Sequence, residues 1–149
     1  MMDDAVDICL TRQPLDSAAA VARVTCPEAG GVALFLGTTR AEASPEKEGA
    51  ISGALVSLDY HAYDEMAVRQ IRQLAAAAGE RWPVQRVVVW HRIGEVHVGE
   101  PSVIIAVSCP HRGEAFAACQ YLIDALKKSV PIWKQEVYQR AARWQGSGQ

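Results

Sequence analysis

The feature of the sequence that constrains the fold most is a strand-to-helix connection, in which a predicted buried strand leads directly into a long helix. Residues Ser102–Cys109 (SVIIAVSC) form an apolar, β-branched run of strand length. Residues His111–Val130 then show helical periodicity, which Pro131 ends. The segment Cys109–Arg112 (CPHR) is therefore predicted to join a buried strand to a helix N-terminus. The apolar face of this helix comprises Ala115, Cys119, Leu122, Ile123 and Leu126.

The remaining pattern alternates strands and helices, but several strand pairs lack a helix between them. This interleaving predicts an α+β fold with a mixed or antiparallel sheet. Gly31–Arg40 is continuously apolar and is predicted to be a strand buried on both faces. The other predicted elements are an edge strand Val6–Arg12, a helix Asp16–Thr25, a strand Ile51–Tyr60, a helix Asp64–Ala78 ended by Gly79, a strand Gln85–Arg92, a turn-rich stretch Gly94–Gly99 and an extended piece Trp133–Tyr138.

Length and composition exclude several classes of protein. The 149 residues suit a single domain over 1–149, with mobile segments predicted at the loop 41–49 and the tail 146–149. The formal net charge of −2 argues against a nucleic-acid binder. Apolar runs are far shorter than the roughly 18 residues of a membrane span, and no signal-peptide pattern is present. We expect a cytoplasmic protein with reduced cysteines, without a metal site or cofactor.

The first candidate for chemistry is the predicted helix N-terminus, where His111 and Arg112 occupy the first turn. A cation there opposes the helix dipole at a cost of about 0.3–1 kcal/mol. The arrangement is understandable if an anion binds, because unpaired N–H groups, the dipole and Arg112 then face the same negative group. The alternative is that Arg112 pairs locally with Glu114 or extends into solvent.

The second candidate is Gly37–Arg40 (GTTR), at the end of a predicted strand. A Gly turn at a sheet edge exposes backbone N–H groups, and ligands often bind at such edges. The segment is not a Walker A phosphate loop, because the GxxxxGK[ST] pattern is absent. The alternative is an ordinary solvated loop.

The third candidate is a pair of lysines on either side of Pro131. Lys127 lies off the apolar face of the predicted helix, and Lys134 follows seven residues later, so the helix end and the rigid turn can direct both amines to one place. Repulsion between two ammonium groups disfavours their protonated forms, so one amine is a candidate nucleophile or general base. The alternative is a solvated Asp124–Lys127 pair, with Lys128 and Lys134 on the surface.

Two other arrangements carry less information. Cys109 and His111 are separated by Pro110 and diverge, which argues against a thiol–imidazole pair. His91 and His97 lack helix-face spacing and a third ligand, which argues against a metal site.

Six segments read together are more specific than any one of them. They are FLGTTR (35–40), LDYHAYDEMA (58–67), RIGEVHVGEPSV (92–103), CPHRGEAFAAC (109–119), DALKKSVPIWKQE (124–136) and RW (143–144). This combination resembles the MoaE family, the large catalytic subunits of molybdopterin synthase.

The resemblance implies an α/β hammerhead fold with an additional antiparallel β-sheet. It implies a homodimer in which each copy binds a small ubiquitin-like sulfur-carrier subunit, forming a heterotetramer. The C-terminal Gly-Gly of that partner, activated as a thiocarboxylate, would donate sulfur to cyclic pyranopterin monophosphate. The product would be the dithiolene of molybdopterin, made during molybdenum cofactor biosynthesis. No metal is implied, because the sulfur arrives already activated.

The resemblance also implies roles for individual residues. Lys127 and Lys134 match the two catalytic lysines, with the same seven-residue spacing. Arg40, His111 and Arg112 match residues that would hold the substrate phosphate, so we expect these five basic side chains to converge on one cavity. The further implied substrate-binding residues are Thr38, Thr39, Gln135 and Glu136.

The chain departs from the family pattern in several places. His61 stands where a Glu is usual, and Ala41 begins a longer acidic loop where an Asn is common. Relatives supply an arginine from the neighbouring protomer, for which Arg140 and Arg143 are the candidates here.

Two other functions would use the same residues differently. A non-catalytic subunit that binds a partner's tail and a phosphorylated metabolite needs the cationic pocket but not reactive lysines. A cysteine hydrolase would use Cys109. Product formation in a single turnover tests the first alternative, and the activity of a Cys109→Ser variant tests the second.

Overall fold

The structure is a computed structural model, and it describes residues 3–41 and 54–138. These residues form two sheets, three α-helices and a short 3-10 helix at Asp3–Ala5. The strands are β1 (Val6–Thr11), β2 (Gly31–Thr38), β3 (Leu55–Ala62), β4 (Arg86–Arg92), β5 (Gly94–His97), β6 (Pro101–Cys109) and β7 (Ile132–Tyr138). The helices are α1 (Ser17–Val24), α2 (Asp64–Arg81) and α3 (Arg112–Ser129).

The first sheet has four strands in the order β1-β4-β6-β2. The β1–β4 pair is parallel, and the other two pairs are antiparallel, so the predicted mixed sheet is confirmed. Helices α2 and α3 pack on one face of this sheet, and α1 packs on the other. Because β4 and β6 are central and covered on both faces, their residues are buried almost without alternation.

The second sheet is antiparallel and has three strands in the order β5-β3-β7. It confirms the additional antiparallel sheet that the family resemblance implies. Strand β7 begins three residues after α3 ends and pairs with β3, with Lys134 opposite Tyr60. The second sheet therefore lies next to the C-terminal end of α3.

Several predicted elements are confirmed. Helix α3 has His111 as its N-cap and Val130 as its C-cap, and its five predicted core residues are all buried. Strand β1 lies at a sheet edge, as predicted. Asp16 caps α1 by accepting a hydrogen bond from the Ala19 N–H at 3.2 Å.

The predicted end of α2 at Gly79 is wrong, because the helix continues to Arg81. Its C-cap is Trp82, which has extended backbone (φ −135°, ψ 154°). Trp82 precedes Pro83, and a proline disfavours helical backbone at the residue before it. Proline therefore ends this helix, and glycine does not.

Two other predictions require correction. Strand β2 is not buried on both faces: Val32, Leu34 and Leu36 are each 38–39% exposed. The reason is that β2 is an edge strand among the described strands, and α1 covers the centre of that face. Within the stretch predicted as turns, Gly94–His97 forms strand β5, although Gly94 and Gly99 do have the positive φ that favours glycine.

Some predictions fall on other parts of the chain. The tail 146–149, Arg140, Arg143 and the loop 41–49 apart from Ala41 lie outside the described residues. In the part of the chain that the structure describes, every helix is too short or too polar to cross a membrane.

Candidate functional site

A cavity of about 550 Å³ opens between the C-terminal ends of β2 and α3 and the second sheet. Its volume lies within the range of small-molecule sites. Three cationic side chains (Arg40, Lys127 and Lys134) and the carboxylate of Glu136 line it. The cavity, called the polar cavity below, thus has a cationic lining suited to an anionic ligand.

The loop after β2 contributes Thr38, Thr39 and Arg40 to the polar cavity. The Thr39 N–H donates to the Glu100 carbonyl at 3.1 Å, and its carbonyl accepts from the Gly99 N–H at 2.8 Å. The Thr39 side chain is 4% exposed, and its Oγ1 has no hydrogen-bond partner among the described residues. A buried hydroxyl without a partner is uncommon, and this one belongs to a residue of the cavity wall.

Strand alternation decides which residues of β7 reach the polar cavity. Tyr60 pairs with Lys134, and Leu58 pairs with Glu136, so these four side chains share one face of the second sheet and line the cavity. Gln135, between them, points to the opposite face and is not in the lining. Leu58 and Tyr60 were missed as site residues, although their alternate positions in LDYHAYDEMA were visible in the sequence.

The two lysines lie on either side of the turn between α3 and β7, and both line the polar cavity. Neither lysine takes part in an ion pair within residues 3–41 and 54–138. The Asp124–Lys127 pair of the alternative is therefore not formed, although Lys128 and Lys134 are exposed, as that alternative predicts.

A second cavity of about 300 Å³ also contains both lysines. Its other walls are largely apolar, formed by Leu126, Ile132 and Trp133, and we call it the aromatic cavity. Three side chains line both cavities and are called the shared wall below: Tyr60, Lys127 and Lys134. The amines are thus accessible from two sides.

His91 also lines the aromatic cavity, although the sequence pattern suggested it only as a rejected metal ligand. It is 5% exposed, and its ring packs edge-on against Tyr60 with centroids 4.9 Å apart. Burial lowers the His91 pKa, the hydrogen bond to the Arg92 carbonyl opposes this, and the positive charge of Lys127 lowers it further. The alternation of Val87, Val89 and His91 along β4 indicates that His91 faces the same side of the sheet as the two core valines, but it does not indicate which residues of α3 it meets.

His111 and Arg112 lie elsewhere. They are at the N-terminal end of α3, and the rise of an α-helix puts Arg112 about 22 Å from Lys127. The start of β2 lies against this end: a Cβ on Gly31 would be 2.9 Å from the Arg112 Cα. Within one copy, the expected convergence of all five basic side chains is therefore not found.

The N-terminal end of α3 is open to solvent. The His111 side chain is 85% exposed and lies 3.6 Å from Glu114, so Glu114 approaches His111 and does not pair with Arg112. Arg112 is itself exposed, as the solvent-facing form of the alternative predicts. His111 makes no side-chain capping hydrogen bond. The first-turn N–H groups thus have no side-chain cap from His111.

Cys109, next to this end, is fully buried. Burial raises its pKa to about 11, and the negative charge of Glu114 adds to the rise. The thiol is therefore protonated at neutral pH, which argues against a hydrolase nucleophile. In residues 3–41 and 54–138, no three His, Cys, Asp or Glu side chains are grouped to hold a metal ion.

Comparison with known proteins gives consistent matches. The model of the MoaE protein family matches residues 10–129. The molybdopterin synthase catalytic subunit of Homo sapiens is 41% identical over 124 residues, which are 83% of this chain and 62% of the human protein. The subunit of that name from Pyrococcus abyssi is 40% identical over 125 residues, 84% of this chain and 80% of the relative. A crystal structure of molybdopterin synthase from Staphylococcus aureus has a TM-score of 0.75 at 30% identity, covering 95% of each chain.

Proposed function

Because the chain belongs to the MoaE family, we propose that it is the catalytic subunit of a molybdopterin synthase. It transfers sulfur from the C-terminal thiocarboxylate of a small ubiquitin-like partner to cyclic pyranopterin monophosphate, which makes the dithiolene of molybdopterin. The observation that carries this proposal is the shared wall, where two lysine amines are accessible from two adjoining cavities. A reaction between the C-terminus of a peptide and a small anion requires a place where both reactants contact the same catalytic groups.

The polar cavity holds the pterin substrate. Its phosphate lies near Arg40, whose guanidinium is suited to bidentate binding of phosphate oxygens. The free Oγ1 of Thr39 and the side chain of Thr38 donate hydrogen bonds to the same ligand, and Glu136 accepts one from a pterin N–H. Gln135 faces away from the polar cavity, so any contact that it makes with the substrate or the partner lies outside this cavity.

Lys127 and Lys134 act on the transfer step. The reaction takes place at two substrate carbons, with one thiocarboxylate used at each. The thiocarboxylate sulfur bonds to the carbon while a carbon–oxygen bond of that carbon breaks, and the oxygen leaves with a proton or on the phosphate. Water then cleaves the acyl–sulfur bond, which leaves a carboxylate on the partner and a thiol on the product. Negative charge develops on the acyl oxygen during that cleavage, and an ammonium group beside it stabilises the charge. Lys127 is the principal group, and Lys134 positions the acyl end and shares the task.

A second copy of the chain supplies His111 and Arg112. Strand β2 has an open edge among the described strands, and its exposed face is apolar. Its two ends differ: Gly31 lies beside Arg112, whereas Thr38 lines the polar cavity. Antiparallel pairing of β2 with its symmetry mate would bring Arg112 of one copy to the polar cavity of the other.

We also propose that the enzyme works in the cytoplasm, where its four cysteines, all free, stay reduced.

The test is reconstitution of the chain with its thiocarboxylated partner and cyclic pyranopterin monophosphate, followed by single-turnover dithiolene formation. We expect the Lys127→Ala variant to react at least about a hundredfold more slowly, because proton transfer and charge stabilisation are both lost. The matched control is Lys128→Ala, since Lys128 is exposed and lines neither cavity. A Lys127→Ala variant with the wild-type rate would contradict the catalytic role and favour a non-catalytic binding subunit.

A further inference from the structure

His91 is a buried, titratable side chain that the proposed reaction does not yet use. It lies on β4, in the first sheet, but its ring reaches the aromatic cavity that also contains Lys127 and Lys134. The sequence offered no reason to connect it with the lysines, because it lies 36 residues before Lys127.

The hydrogen bond of His91 determines its tautomer. Its Nδ1 lies 2.6 Å from the Arg92 carbonyl oxygen. A carbonyl only accepts, so the proton of the neutral ring is on Nδ1. Nε2 therefore carries a lone pair. The bond from Nδ1 to the Arg92 carbonyl is the only hydrogen bond that the ring makes with the described residues. The ring thus has one free acceptor, at the end farthest from the backbone.

The aromatic cavity contains few groups with which this acceptor can interact. The titratable side chains that face His91 are Tyr60 from β3, Lys127 from α3 and Lys134 from β7. No carboxylate is among the described side chains that line the cavity. Nε2 is therefore an uncharged acceptor in a cavity that two lysine side chains also line, and the charge of one of them, Lys127, acts on the ring.

We propose that His91 is a positioning residue, which accepts a hydrogen bond at Nε2 from a water that the Lys127 amine binds, and so holds that amine at the shared wall. The reaction it serves rests on the proposed function. A carboxylate in its place would hold the amine in an ion pair and neutralise its charge. A neutral imidazole orients the amine and leaves its charge for the developing oxyanion.

This role requires a neutral ring, and the environment favours one. Burial and the nearby Lys127 charge lower the His91 pKa, so the ring stays neutral below the ordinary value of about 6.5. Protonation at still lower pH would remove the acceptor and place a third positive charge beside Lys127 and Lys134. The alignment is therefore present at neutral pH and is lost as the pH falls through the lowered pKa.

The first test needs no catalysis. The His91 ring is titrated by NMR in the full chain, in the Lys127→Gln variant and in the matched control Lys128→Gln. We expect the His91 pKa to rise in Lys127→Gln, because a neighbouring positive charge is removed, and to stay unchanged in Lys128→Gln. Identical titrations in the wild type and Lys127→Gln would overturn the proposal, even if the chain made no molybdopterin.

The second test uses the chain assembled with its thiocarboxylated partner. His91→Asn keeps a donor for the Arg92 carbonyl but lacks the Nε2 acceptor, whereas His91→Gln places an amide oxygen near the Nε2 position. We expect single turnover to slow roughly tenfold in the Asn variant, with an unchanged KM for the pterin, and to stay within about threefold of wild type in the Gln variant.

The pH profile separates positioning from a structural role. In the wild type, protonation of His91 should lower the rate at low pH. We expect His91→Gln to lack this fall in rate, since an amide does not titrate. Equal rates for His91→Asn and His91→Gln would overturn the proposal. So would a His91→Gln variant whose rate falls at low pH as in the wild type. An inactive wild type would contradict the proposed function instead, and the NMR titration would still decide the position of His91.

Discussion

The two ends of helix α3 carry similar basic residues, yet only one end is a built site. At the C-terminal end, Lys127 lies between two cavities and faces the second sheet. At the N-terminal end, His111 and Arg112 are exposed. The two ends differ in what adjoins them: strands β3 and β7 form a cavity wall beside the first, whereas the start of β2 lies against the second.

This contrast shows how cationic residues become a site. A helix N-terminus with basic residues attracts anions, but an exposed charge interacts weakly through water. Lys127 and Lys134 are exposed too, but they line one cavity together with Arg40, so that several cations face the same ligand. The proposed function accordingly treats the exposed end of α3 as half of a site, which a second copy would complete.

The largest effect in this comparison is expected for Lys134→Ala. This change removes the second amine of the shared wall, and we expect single-turnover sulfur transfer to slow roughly a hundredfold. The free energy of unfolding should change little, because Lys134 is exposed. A rate equal to that of the Lys128→Ala control would mean that the C-terminal end of α3 works with Lys127 alone.

A smaller effect is expected at the other end of α3. Arg112→Ala should raise the KM for the pterin phosphate roughly tenfold while kcat changes less, since the role proposed for this side chain is to bind the substrate and not to act on the acyl group. The matched control is Arg72→Ala, an exposed arginine on α2 that lines neither cavity.

Mixing variants tests which copy supplies Arg112. If each site combines Lys127 of one copy with Arg112 of the other, a dimer of one Lys127→Ala chain and one Arg112→Ala chain contains one complete site. Activity in such mixtures, measured at low substrate, should exceed that of either variant alone. Mixed dimers that gain nothing would place both residues in a site of the same copy.

The smallest effect on activity is expected for Cys109→Ser. The Cys109 pKa of about 11 keeps the thiol protonated at neutral pH, so we expect an unchanged rate of sulfur transfer. The buried hydroxyl should instead lower the free energy of unfolding by about 1–2 kcal/mol, measured by denaturant titration. A Cys109→Ser variant that loses activity while its free energy of unfolding stays unchanged would support the cysteine hydrolase hypothesis.

Local periodicity was sufficient for part of this molecule. The core face of α3 and the buried strand β6 follow from spacing that one segment carries by itself. The position of Lys127 beside Lys134 also follows locally, because a helix end and a turn of a few residues join them. In these segments the spacing of apolar residues predicts a helix or a strand, and it also predicts which face is buried. This prediction does not depend on which other elements cover that face.

Tertiary structure decided what depends on distant segments. Strand β2 is apolar throughout, but only its place at the sheet edge leaves Val32, Leu34 and Leu36 exposed. The register of β3 with β7 selects Glu136 for the polar cavity and turns Gln135 away from it. The sheet order brings His91 to Lys127, and the length of α3 keeps Arg112 away from that lysine within one copy. Pairing register and sheet order depend on contacts between residues far apart in the chain, which the periodicity of a single segment does not encode.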